Sequence, residues 1–163
     1  MTKDECLQFL KERVQFSMYE HPAVYNMEET HALHLPHEEQ IAKNLFLRDD
    51  KKRNYYLVTV HGSRKIDLKA LQKEIGSRRL TFASEADLER YLGVKQGAVT
   101  PLGLLNDAEH KVKFYLDTEF RNQLIGMHPM ENTATVFLDA EALMSLLNAA
   151  GCEGNWLSLP AAL

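Results

Sequence analysis

The chain is short of the residues that announce a special architecture: its 163 positions hold two cysteines, eight glycines, five prolines and one tryptophan. Cys6 and Cys152 lie near opposite ends of the chain with no CxxC or metal-ligand spacing. That excludes a disulfide scaffold and leaves both thiols as packing residues. So little glycine and proline excludes a collagen-like or low-complexity chain. Long apolar runs are missing as well. Ala140 to Ala150 is interrupted by Glu141, Ser145 and Asn148 and falls short of the roughly 20 residues of a membrane span. The opening Met-Thr-Lys-Asp-Glu-Cys has neither an apolar h-region nor a small-residue cleavage site. A soluble, cytoplasmic protein with no membrane partner is the expectation. No GxSxG elbow, HExxH or Cys–His signature occurs, so serine, thiol and zinc hydrolases have no support.

What is present is an ordinary globular composition, 45% hydrophobic and 26% charged, with a length that predicts one domain over residues 1–163. The net charge of -4 argues against a general nucleic-acid coat protein, yet it hides an asymmetry. Lys43 to Lys95 carries 13 Lys and Arg against 7 Asp and Glu, a local +6. The densest groups are Lys51-Lys52-Arg53, Arg64-Lys65 and Arg78-Arg79. Any one cluster reads better as a solvated face or charged hairpin tip, but the asymmetry suggests a polyanionic partner.

Thr2 and Glu5 stand at capping-box spacing ahead of Leu7, Leu10 and Val14, which predicts a first helix to about Phe16. A short extended piece is expected at Ala23 to Tyr25, and a second helix from Met27 to Leu35, ended by Pro36. Lys43–Arg48 and Tyr55–Val60 flank a polar hexapeptide and read as a hairpin, apolar on both faces and so covered on both. Asp67 and Gly76 bracket a helix, Leu80 to Ala83 fits a strand, and Ser84 with Asp87 opens another helix that Gly93 stops. Strands are expected near Leu102–Leu105, Lys111–Leu116, Leu124–Met127 and Thr133–Leu138, then a helix capped by Asp139 and ended at Gly151, and a last strand over Trp156–Leu159. The class is α+β (mixed α/β), with a mixed, mostly antiparallel sheet flanked by helices.

Three segments could carry chemistry. Lys43-Asn44 opens an apolar strand, where a lysine is seldom fully buried without a partner, although its head could also snorkel to water. Gly126-Met127-His128-Pro129-Met130 holds an imidazole between a strand and a proline turn, a common binding position but also a common structural one. Gly97 to Gly103 permits close backbone approach and is stiffened by Thr100-Pro101; lacking GKS or GKT, it is not a P-loop. His31, His34 and His37 are spaced by three, but Pro36 intrudes and no cysteine joins them, so an exposed helix face is the better reading than a metal site. Glu28-Glu29 and Glu38-Glu39 read as solvated surface.

Lys43-Asn44-Leu45-Phe46-Leu47, Tyr55-Tyr56-Leu57-Val58, the Gly97–Leu104 loop and His128-Pro129-Met130-Glu131-Asn132-Thr133-Ala134-Thr135 together resemble the YbaK/prolyl-tRNA-synthetase-associated editing domain family, over about residues 21–151. The likeness is to its free-standing branch that deacylates Ala-tRNA(Pro). The related Cys-tRNA(Pro) branch is not similar in the Lys-Asn-Leu-Phe-Leu block. The resemblance implies a pocket for the aminoacylated 3′ end of tRNA(Pro), with Lys43, Asn44 and His128 in it and with no cofactor or metal. Prolyl-tRNA synthetase is a further expected partner. Gly126, Met127, Pro129, Met130, Thr100 and Pro101 are expected to wall the pocket, and Arg64, Arg78, Arg79 and Lys95 to meet acceptor-stem phosphates. Backbone N–H groups of Gly126–His128 could stabilise the oxyanion. How Lys43, Asn44 and His128 divide the work is left open, as is the proton acceptor, water or the tRNA 2′-hydroxyl. Cysteine or serine on tRNA, a silent tRNA-binding adaptor, and a metal-dependent hydrolase using His31, His34 and His37 are the competing readings.

Overall fold

The computed structural model describes residues 1–159. Helix α1 (Lys3–Lys11) starts on the expected reciprocal cap: the Glu5 N–H donates to the Thr2 hydroxyl at 3.1 Å, and the Thr2 N–H to the Glu5 carboxylate at 2.9 Å. It ends sooner than expected, because the segment leading toward His21 is needed as strand β1 (Ser17–Glu20). Exposed at three of its four residues, β1 shows no apolar alternation for a sequence reading to detect. The expected extended piece at Ala23–Tyr25 is not a strand; Val24 makes only a single backbone bond, to the Asn132 carbonyl, at 3.3 Å. Helix α2 (Met27–Ala32) is capped by Asn26 and stops short of Leu35, with His34 turned into the left-handed region at φ 51°.

The hairpin is as expected. β2 (Ala42–Asp49) pairs antiparallel with β3 (Tyr55–His61), Asn44 facing Thr59 and Lys43 facing Val60. Asp49 closes its tip by accepting from the Arg53 N–H and the Asn54 amide. Then come α3 (Leu68–Ile75), capped by Asp67 and stopped by Gly76 at φ 67°, and the short strand β4 (Leu80–Phe82). Helix α4 (Glu85–Asp87) carries a Ser84–Asp87 capping box and runs into a π turn over Leu88–Leu92. Leu102–Leu105 is not the expected strand: Thr100 caps and Pro101 begins a 3-10 helix over Pro101–Asn106. β5 (Val112–Asp117), β6 (Leu124–Met127), β7 (Ala134–Asp139), α5 (Ala140–Ala149) and β8 (Glu153–Leu157) complete the order.

The strands form two sheets where one was expected. The larger runs β4-β2-β3-β5-β8, antiparallel as far as β3 and parallel beyond; the smaller, β1-β7-β6, is antiparallel throughout. A parallel bridge between Ile41, just ahead of β2, and Gly126 in β6 stitches them together. Glycine suits this close seam. A Cβ at Gly126 would lie 2.6 Å from the Phe137 ring and 3.1 Å from the Ile41 side chain. Both faces of the hairpin are covered: Phe46 and Leu57 join the main core with Phe114, Leu138 and Leu143, while Leu47, Val58 and Val60 pack with Leu71 of α3. Each such side chain contributes about 1.5–3 kcal/mol by leaving water. Cys6 and Cys152 are free and buried, and burial pushes each thiol up to about 11. Among the described residues no helix is long and apolar enough to cross a membrane.

Candidate active site

The seam brings the first residues of β2 beside the end of β6, and a cavity of about 230 Å³ opens there. Lys43 and Asn44 line it from β2, His128 from the residue after β6, Gly97 and Val99 from the glycine-bearing loop, and Val24, Tyr25 and Met27 from the approach to α2 and its first turn. The three residues singled out from the sequence as chemical groups thus share one cavity.

Each is held by its neighbours. The Asn44 amide donates to the Val99 carbonyl at 3.2 Å, tying the loop to β2, and its carbonyl accepts the Thr59 hydroxyl at 2.6 Å. Thr59 is fully buried and stands directly across the ladder, so the hairpin register itself orients Asn44. Lys43, on the opposite face of β2, donates from Nζ to the Arg64 carbonyl. Burial holds its pKa below the ordinary lysine value. An ammonium has three donors, so two remain for a substrate.

His128 Nδ1 lies 2.8 Å from the Ala134 carbonyl. A carbonyl only accepts, so Nδ1 carries the proton and Nε2 is left as an acceptor. Burial holds the His128 pKa below 6.5; the Ala134 bond opposes this and nearby His21 adds to it. The His21 ring lies 6.1 Å from that of His128 and is fixed between the Pro22 carbonyl and the Thr135 hydroxyl.

A family model described as an aminoacyl-tRNA editing domain matches residues 21–146. The chain belongs to that family. It is 41% identical over 140 residues to the prolyl-tRNA editing protein ProX of Acetoanaerobium sticklandii, covering 85% of each chain. It is 40% identical over 147 residues to prolyl-tRNA synthetase associated domain-containing protein 1 of Mus musculus, covering 85% of this chain and 84% of that one. Among solved structures, one described as a candidate trans-editing enzyme for prolyl tRNA synthetase superimposes with a TM-score of 0.69 at 21% identity, covering 96% and 97% of the two chains.

The editing domain departs from the expected pocket in several residues. Gly126 is bracketed by Phe137 and Ile41 and belongs to the sheets rather than to a turn. Met127 and Pro129 are buried away from the cavity lining, and Met130 faces a neighbouring cavity instead. Thr100 and Pro101 are buried as the cap and first residue of the 3-10 helix; from that loop it is Gly97 and Val99 that reach the cavity.

Of the four cations expected to meet tRNA, Arg64 is a structural residue. Its guanidinium lies 3.3 Å from Asp117 and 2.9 Å from Glu119, donates to the Leu159 carbonyl at 2.8 Å, and its side chain is only 11% exposed. Arg78 is exposed and paired with Asp50 at 2.7 Å, whereas Arg79 and Lys95 are simply exposed. His31 pairs with Glu38 and the His37 ring packs on Phe137, so these two histidines do not face a common point. Sequence reasoning missed His21, Tyr25 and Thr59. Only Thr59 left a signal, as the one aliphatic hydroxyl in an otherwise apolar or aromatic strand before His61.

Proposed function

We propose that this editing domain is a trans-acting deacylase that hydrolyses Ala-tRNA(Pro) to alanine and tRNA(Pro), acting in the cytoplasm alongside prolyl-tRNA synthetase. The observation that carries the reading is the small cavity shared by Lys43, Asn44 and His128 in a family that edits aminoacyl-tRNA. The prolyl-tRNA editing named for one relative and the synthetase association named for another support the choice of tRNA. The need is physical: a hydrophobic site built for proline rejects smaller amino acids by only about 1–3 kcal/mol per methylene, so a second, smaller sieve must clear the product.

In this reading the cavity takes the aminoacyl ester. Lys43 sets a positive charge and donors at its edge, where the ester carbonyl or the terminal phosphate becomes more negative. Asn44, already fixed by Thr59 and Val99, keeps one N–H and one acceptor lone pair for the ribose or the substrate amine. His128, neutral near pH 7, accepts through Nε2 a hydrogen bond from the attacking water or the tRNA 2′-hydroxyl and so orients it. The ester acyl–oxygen bond breaks, water supplies the new oxygen, and the tRNA leaves with its ribose hydroxyl restored.

Single-turnover hydrolysis of Ala-, Cys-, Ser- and Pro-tRNA(Pro) tests this. Alanine should be released far faster than the other three. Lys43→Ala should slow that release by about 10²-fold or more. Faster release of cysteine or serine overturns the choice of alanine. Rates no better than buffer for all four leave a tRNA-binding adaptor.

A further inference from the structure

Tyr25 is 66% exposed, the most of any large apolar side chain among the described residues. It stands on the rim of the candidate active-site cavity and also lines a second cavity of about 460 Å³, shared with Lys3, Lys95 and Glu131. Its backbone is firmly placed. The Tyr25 N–H donates to the Glu29 carboxylate at 3.0 Å, and the preceding Val24 is bonded in both directions to Asn132. Its ring packs over Gly97, where a Cβ would come within 2.9 Å of Cδ1. No other ring stacks on it among the described residues, and its hydroxyl has no hydrogen-bond partner there.

At 230 Å³ the first cavity lies below the roughly 300–1,000 Å³ that a drug-sized ligand fills. An aminoacylated nucleoside is a ligand of that size, so the aminoacyl ester and part of its ribose can enter but the base must stay outside. The base then meets the rim. Unstacked bases of single-stranded RNA are held there by aromatic side chains, because every base offers a π-face.

We infer that Tyr25 is the platform on which the 3′-terminal base of the tRNA stacks, with the second cavity and Lys95 taking the chain that precedes it. The inference rests on the deacylase reading only in taking a tRNA 3′ end as ligand. Tyr25 is thus a positioning residue: stacking anchors the 3′ end beside Lys43, Asn44 and His128 equally in the ground and transition states, without a bond to the reacting atoms.

The test uses an uncharged CCA-ended RNA with 2-aminopurine as its last base, whose fluorescence falls on stacking and which needs no catalysis. Wild-type protein and Tyr25→Phe should quench it; Tyr25→Ala should not. In deacylation, Tyr25→Ala should raise the half-saturating substrate concentration about 5- to 150-fold while leaving the saturated rate nearly unchanged, and Tyr25→Phe should restore it. Thermal melting confirms that the variants fold, with Tyr25→Leu as a second ring-free variant should the alanine variant not. Equal quenching by Tyr25→Ala, or a drop only in the saturated rate, overturns the platform. Quenching without hydrolysis of any charged tRNA fells the deacylase reading and keeps the platform. Fast hydrolysis without quenching by wild type does the reverse.

Discussion

Two side chains show how little a residue's type says about its task. His128 and Arg64 were both candidates on sequence grounds, and their surroundings divide them. His128 lines the cavity with one nitrogen committed to Ala134 and the other left as an acceptor. Burial lowers its pKa, so the neutral form persists at pH 7 and is lost only as the pH falls through that lowered value. Deacylation, corrected for spontaneous ester hydrolysis, should therefore hold level down to about pH 6.5 and then decline, and His128→Asn should flatten the decline. The folded state also resists charging this ring, so stability should fall over the same acid range. Arg64 instead faces Asp117, whose side chain is fully buried. Arg64→Ala strands that carboxylate and should cost about 3–5 kcal/mol, read as a fall in the denaturation midpoint. Its effect on the salt dependence of tRNA binding should be small. No sequence pattern separates an arginine that meets phosphate from one that meets a carboxylate 53 residues away.

At the scale of elements, legibility followed local chemistry. The hairpin, α3 with its Asp67 and Gly76 ends, and the capping boxes of α1 and α4 could be read because the signal sits within a few residues of the structure it sets. β1 could not, since only its pairing with β7 makes it a strand. Leu102–Leu105 was misread although Thr100-Pro101 is a helix-start signature, because a short apolar run suits a strand as well as a buried helical turn. The pocket divides in the same way: Lys43, Asn44 and His128 stand out as polar groups in apolar company, whereas its apolar walls do not. The role of Gly126 also exceeds its local sequence. Gly126→Ala should push Ile41 and the Phe137 ring apart, destabilise the protein by about 1–3 kcal/mol, and slow deacylation by more than that stability loss explains. Melting and single-turnover rates, taken well below the melting temperature, separate the two effects.

For the molecule as a whole, charge is polarised while the candidate site is concentrated at one junction. Arg79, exposed beside the Arg78–Asp50 pair, is the better of the two neighbours for a phosphate contact. Arg79→Ala should weaken tRNA binding with little change in amino-acid preference, lowering the slope of log affinity against log salt by about one. The bridge between Ile41 and Gly126 has a consequence of another kind. Lys43 and Asn44 ride on one sheet and His128 follows the edge strand of the other, so a reaction at the proposed site would depend on the alignment of two sheets that share one core. A misplacement of about 1 Å can cost some 10²-fold in rate. Trp156, the single tryptophan, sits in β8 at the far edge of the larger sheet, under the Arg121 guanidinium at 4.2 Å and against the main core, so it reports that core rather than the junction. In a urea titration, hydrolysis should fail before tryptophan fluorescence changes, which would make activity a finer gauge of native order than the spectroscopic transition.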